Sequence, residues 1–144
     1  MATGIQVAMD CADPDGLARF WATALGYKLE DPPEGYTSWP KWLTAHSIPE
    51  EEWNSASAIV DPDGKGPRLW FQRVPEPKTV KNRVHMDLNI SGGRGTPLAE
   101  RRRRVEAEAD RLLRAGATRL GTLEEYGGYA VNMADPEGNE FDVH

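Results

Sequence analysis

The sequence predicts an α+β fold made of two βαβββ modules, residues about 5–74 and 82–143, within a single domain. Three observations predict it. Two stretches alternate with the period of a half-buried strand: Ile5, Val7, Met9 and Cys11 against Gln6, Ala8 and Asp10, then Val84, Met86, Leu88 and Ile90 against Arg83, His85, Asp87 and Asn89. Each stretch is followed by an apolar helical period that ends at a glycine. Each half also carries an Asp-Pro-acid-Gly turn before its last strand, at 61–64 and 135–138. The offset between halves is 79 from Gln6 to His85 and 74 from Asp61 to Asp135, close enough for one duplicated unit. Such a unit leaves its sheet half covered, so the two copies are expected to pair.

In order along the chain, Asp13 is placed to cap a helix, with Pro14 in the first turn, where a missing N–H costs little. Leu17, Phe20, Trp21, Ala24 and Leu25 form its apolar stripe and Gly26 its stop. A short strand is expected at 27–30. Residues 36–53 show no period and read as a long loop holding Tyr36, Trp39, Trp42, His46 and Trp53. Strands follow at 56–60 and 68–74, where Leu69 and Phe71 share one face and Trp70 and Gln72 the other. Pro75-Glu76-Pro77-Lys78 marks the boundary between halves. The second half predicts a strand over 83–90 and a helix opening at Pro97, striped by Leu98, Val105, Ala109, Leu112 and Leu113 and stopped at Gly116. Strands near 118–122, 128–133 and 139–143 complete it.

Net charge is −6, the wrong sign for a nucleic-acid binder. The run Arg101–Arg104 reads as a solvated helix face with local ion pairs, against an anionic-ligand patch as the alternative. One cysteine, Cys11, excludes an intrachain disulfide and suits a buried thiol. With no long apolar run and no signal-peptide pattern, a cytoplasmic protein without a membrane span is expected.

The segments Asp135-Pro136-Glu137-Gly138-Asn139-Glu140-Phe141, Phe71 through Lys78 and Lys81-Asn82-Arg83-Val84-His85 resemble the vicinal oxygen chelate superfamily, and within it a glyoxalase-like branch. Glyoxalase I, bleomycin-resistance proteins and extradiol dioxygenases are members. The resemblance runs from Ile5 to Val143. It implies a cupped, barrel-like mixed sheet with helices outside, and a homodimer. It also implies a divalent-metal site (Zn, Ni, Mn or Fe) built from the first and last strands of each module, at Gln6, Gln72, His85 and Asp142. Strand parity places all four opposite the apolar stripes. Glutamines where metal-active relatives carry carboxylates or a second histidine weaken that site, so a metal-free protein is also open. The two-histidine, one-carboxylate triad is not met, which disfavours a dioxygenase. His144, being terminal, is expected to fray.

Two functions follow from the resemblance. One is a metal-dependent lyase or isomerase acting on a small oxygenated substrate, with Asp87 as candidate base. The other is a metal-free binder of the bleomycin-resistance type that holds a planar or aromatic small molecule among Trp39, Trp42, Trp53 and Trp70.

Overall fold

A computed structural model describes residues 1–144, which divide into two compact units, Met1–Pro77 and Lys78–His144. The first contains β1 (Val7–Cys11), α1 (Pro14–Leu25), β2 (Lys28–Leu29), α2 (Trp39–Ala45), β3 (Ala56–Val60) and β4 (Leu69–Arg73). The second contains β5 (Asp87–Leu88), α3 (Leu98–Ala115), β6 (Thr118–Leu123), β7 (Ala130–Ala134) and β8 (Glu140–Val143). The strand orders are β1-β4-β3-β2 and β5-β8-β7-β6. In each sheet the first and last strands pair in parallel and the other neighbours are antiparallel. The α+β class and the duplicated topology are therefore present. Each four-stranded sheet is mixed and open, with no closed barrel, which agrees with the cupped mixed sheet expected.

In the first unit, Asp13 caps α1 by accepting from the Gly16 N–H at 3.1 Å, and Gly26 ends the helix in the left-handed region at φ 69°. Asn54 donates to Asp13 at 2.8 Å and accepts from the Asp15 N–H at 2.9 Å, tying the cap to the segment before β3. That bond, with the Gly16 amide, holds the Asp13 carboxyl below its usual range. Leu17, Phe20 and Trp21 are buried, and α1 packs on β3 and β4. Phe20 and Trp21 meet edge to face at 5.4 Å. Each such side chain contributes roughly 1.5–3 kcal/mol by leaving water.

The two turns explain their motif. Asp135 is 2% exposed and its Oδ1 accepts from the Glu137 and Asn139 N–H groups at 2.9 and 3.0 Å, while Gly138 takes φ 87°. Asp61 does the same for Asp63, Lys65 and Gly66, with Gly64 at φ 67°. The aspartate thus replaces backbone partners that a tight turn cannot supply, and the glycine takes a conformation unfavourable to any residue with a Cβ.

Three expectations are corrected. Residues 36–53 are not a loop: Ser38 accepts from the Lys41 N–H to start α2, and a 3₁₀ turn spans Glu50–Glu52. A seven-residue helix is too short for its period to emerge from sequence. The strand expected over 83–90 shrinks to Asp87–Leu88, and Val84 is 83% exposed. Upstream of Met86, whose carbonyl accepts from the Asp142 N–H at 3.0 Å, the chain is held to β8 by side chains instead of a ladder. The Asn82 N–H donates to Glu140 Oε2 at 2.8 Å, and the Glu140 N–H to Asn82 Oδ1 at 3.2 Å. In α3, finally, Val105, Ala109 and Leu112 are buried, whereas Leu98 and Leu113 at the edges of the stripe are exposed.

The outer side of the second unit is braced by Glu106, which accepts from Arg119 through two bonds of 2.7 and 2.8 Å and from the Tyr129 hydroxyl. Arg119, then Tyr129, lower its carboxyl to about 2. Because the unfolded chain takes up protons near 4.5, the brace is fully present above that pH and is lost as pH falls towards about 2. Glu106→Gln is expected to flatten the loss of stability between those two pH values, read by urea unfolding at stepped pH. Asp135→Ala, which strands buried amides, should cost about 1–3 kcal/mol in the same assay at neutral pH.

Candidate metal centre in the second unit

Along β8, Phe141 and Val143 point into the core, so Asp142 belongs to the opposite face. Parallel pairing puts Asp87 of β5 level with Asp142, and antiparallel pairing puts Asn132 of β7 level with it on the other side. His85, two residues before Asp87, shares that face. The alternation written in the sequence thus becomes a row of polar groups across three strands.

The side chains converge. His85 Nε2 lies 3.1 Å from Asp142 Oδ2 and 3.5 Å from Asp87 Oδ1. His144 Nε2 lies 3.6 Å from Asp87 Oδ2. Asn132 Nδ2 donates to Asp142 Oδ1 at 2.5 Å, so both oxygens of that carboxylate are engaged and its plane is fixed. One donor atom each from His85, Asp87 and Asp142 lies within 4.8 Å of the others. Two carboxylates and an imidazole fit a divalent cation, since the carboxylates balance its charge and the donors suit borderline ions such as Mn, Fe, Ni or Zn.

The two glutamines belong to the first unit. Gln6 precedes β1, and its Oε1 accepts from Arg68 Nη1 at 3.0 Å. The same guanidinium clamps Glu30 at 2.6 and 2.8 Å. Gln72 pairs in register with Asp10, four residues along β4 from Arg68. Gln6 and Gln72 therefore share a face but lie about 13 Å apart along the ladder, too far for one ion to take both. Parity assigns a face, not a level.

The tryptophans are bound up in the first unit. Trp39 Nε1 donates to the Glu30 carbonyl at 2.7 Å and Trp53 Nε1 to the Ile48 carbonyl at 3.0 Å. Trp42 meets Trp39 edge to face and stacks on His46 with centroids 4.1 Å apart. His46 Nδ1 lies 2.8 Å from the Trp42 carbonyl at the end of α2. The Arg68 guanidinium sits 5.0 Å from the Trp70 ring centre.

One group in the polar row went unrecognised in the sequence and another was discounted. Asn132, between Val131 and Met133, carried the right alternation and was a readable signal. His144 does not fray: its N–H donates to the Leu88 carbonyl at 3.0 Å and its carbonyl accepts from Ile90 at 2.8 Å.

The glyoxalase-like domain family matches residues 6–144. The chain belongs to that family. It shares its fold with a glyoxalase/bleomycin resistance/dioxygenase family enzyme from Burkholderia phytofirmans (14% identity, TM-score 0.62, covering 96% of this chain and 94% of that one). A similar structure is that of a mutant of the fosfomycin resistance protein FosX from Listeria monocytogenes, complexed with Mn(II) and 1S,2S-dihydroxypropylphosphonic acid (11% identity, TM-score 0.64, covering 100% and 90%). The hypothetical protein SA1046 from S. aureus also matches (15% identity, TM-score 0.59, covering 99% and 96%). No curated protein sequence matches the chain. The family match places this glyoxalase-like protein in the vicinal oxygen chelate superfamily, and the neighbours share its fold. None of its helices is long and apolar enough to cross a membrane.

Asn132→Ala, which releases Asp142 without removing a donor, should weaken Mn(II) affinity by about 10–100-fold. Titration followed by water-proton relaxation measures this.

Proposed function

We propose that this glyoxalase-like protein is a divalent-metal-dependent lyase or isomerase acting on a small substrate with adjacent oxygen atoms. The observation that carries the reading is the convergence of His85, Asp87 and Asp142. The Mn(II) in the FosX complex makes manganese the first ion to test. A divalent ion held by His85 and Asp142, with Asp87 beside it, would supply Lewis-acid polarisation of two neighbouring substrate oxygens.

The chain's own side chains divide the remaining work. Asn132 holds Asp142 in one orientation, and Asp142 in turn orients His85. Asp87 faces an imidazole on each oxygen, His85 on one side and His144 on the other. Half-exposed and without a backbone donor, it is the group best placed to accept a substrate proton and share it with an imidazole. The metal-free alternative draws less support, because the indole N–H groups of Trp39 and Trp53 and a face of Trp42 are engaged by the chain itself. A homodimer remains part of the proposal on the family resemblance, and a cytoplasmic location on the lone cysteine and the sequence pattern.

Elemental analysis of protein purified without a metal-affinity tag is expected to find a stoichiometric divalent ion that His85→Ala loses. Asp87→Asn should keep the ion and lower turnover about 100-fold or more on a panel of hydroxyketones, epoxides and vicinal diols. Metal-free wild-type protein that still binds its ligands would overturn the reading. Loss of the ion in Asp87→Asn would make that residue a ligand instead of a base.

A further inference from the structure

Beside the metal centre, within the second unit, lies an open cleft of about 790 Å³. His144 belongs to both: it lines the cleft and approaches Asp87. Asn89, next after Asp87 on the same strand face, also lines it. The rest of the wall comes from the glycine-rich segment after β5, from Arg101 at the start of α3 and from the β6–β7 connection around Tyr126.

Charge singles the cleft out. Most arginines of α3 and the strand after it are neutralised by a carboxylate: Arg102 by Glu124, Arg103 and Arg104 by Glu100, Arg111 by Glu108, Arg119 by Glu106. Arg101 is not. It donates to two carbonyl oxygens, those of Thr96 at 3.1 Å and Gly127 at 3.0 Å, which hold the guanidinium in place and leave its charge uncompensated. Arg94 makes no ion pair or hydrogen bond. The cleft therefore gathers two guanidinium groups without a carboxylate partner, and Glu125 is the one acidic side chain in its lining, in a chain whose net charge is −6.

The frame is fixed from behind. Arg104 Nη1 donates to the Ser91 carbonyl at 3.2 Å, Thr96 Oγ1 to the Gly92 carbonyl at 3.2 Å, and the Thr96 N–H to the Gly93 carbonyl at 3.1 Å. These bonds hold the loop through its carbonyls, and the amides of Gly92, Gly93 and Arg94 have no acceptor within the protein. Tyr126, also in the lining, is 98% exposed and held at φ 51°, a left-handed backbone seldom taken by a tyrosine. Its ring packs on nothing, so it is free to cover whatever enters.

We propose that this cleft is a subsite for an anionic group, a carboxylate or a phosphoryl oxyanion, at the end of the substrate remote from the reacting oxygens, with Arg94 as its specificity-determining contact. Bidentate guanidinium and unpaired loop amides are the donors that suit such a group. The inference deepens the metal-centre proposal and rests on it only for the substrate's reacting end.

The test uses chelator-treated, full-length protein at low ionic strength, where screening is weak. Calorimetric titration with inorganic phosphate and, separately, acetate gives the affinity, and amide shifts of the labelled protein give the location. Saturable binding of either anion is expected, with shifts at Gly92, Gly93, Arg94 and Gly127. Arg94→Ala should weaken it about tenfold or more, Arg94→Lys less, and Arg103→Ala not at all. Which anion saturates decides between the two chemistries. No saturation of either anion, unchanged affinity in Arg94→Ala, or shifts confined to residues 102–104 would each overturn the proposal. The metal arm is read separately: Asp142→Asn should lose Mn(II) and keep the anion, whereas wild-type protein that takes the anion but no Mn(II) rejects the metal centre and leaves the subsite standing.

Discussion

Everything in the second unit depends on β5 running parallel to β8. Parallel neighbours cannot be joined by a tight turn, so the chain must cross over, and it does so through α3, β6 and β7 before returning as β8. The crossover helix covers one face with Val105, Ala109 and Leu112 packed near Val131, Met133 and Phe141. The other face is left for polar work. Register then sets Asp87, Asp142 and Asn132 side by side on three successive strands, spaced by the roughly 4.8 Å that separates strands in any sheet. A row of this kind brings side chains from distant parts of the sequence together, and His85 joins them from the segment just before β5.

The first unit repeats the frame and not the chemistry. Its corresponding row is Asp10, Gln72 and Ala56, also set by one parallel and one antiparallel pairing. It holds one carboxylate and no imidazole. Its electrostatic effort goes instead into Arg68, which gathers Glu30, Gln6 and the Trp70 ring at the far end of the sheet. The two units share what burial and turn geometry require, and the row in the second alone holds two carboxylates, with His85 beside them.

What the sequence made legible follows from short-range rules. Asp13, Pro14 and Gly26 mark helix ends because their effects act within a turn. Asp61 and Asp135 declare their turns for the same reason. Alternation assigned His85, Asp87 and Asp142 to one face, since a strand's period is fixed by its geometry. Level along the strand was not legible, because it depends on which carbonyl meets which amide across the ladder, and Gln6 and Gln72 were grouped on the family resemblance and on parity, neither of which fixes level. The indoles of Trp39 and Trp53 looked available because their acceptors, the carbonyls of Glu30 and Ile48, are backbone atoms that every residue carries. His144 was discounted by position, although a carbonyl and an amide of the β5 segment hold it in the ladder.

The shortness of β5 bears on cooperativity. It is an edge strand of two residues, and upstream of it the chain is fastened to β8 through the side chains of Asn82 and Glu140. A segment with so few ladder bonds opens by local fluctuation at a cost below that of global unfolding. His85 rides on that segment, while Asp142 belongs to a strand paired on both sides. A ligand shared by the two would rivet the fraying margin to the rigid interior, so that binding would slow amide exchange over residues 82–88 more than anywhere else in the sheet.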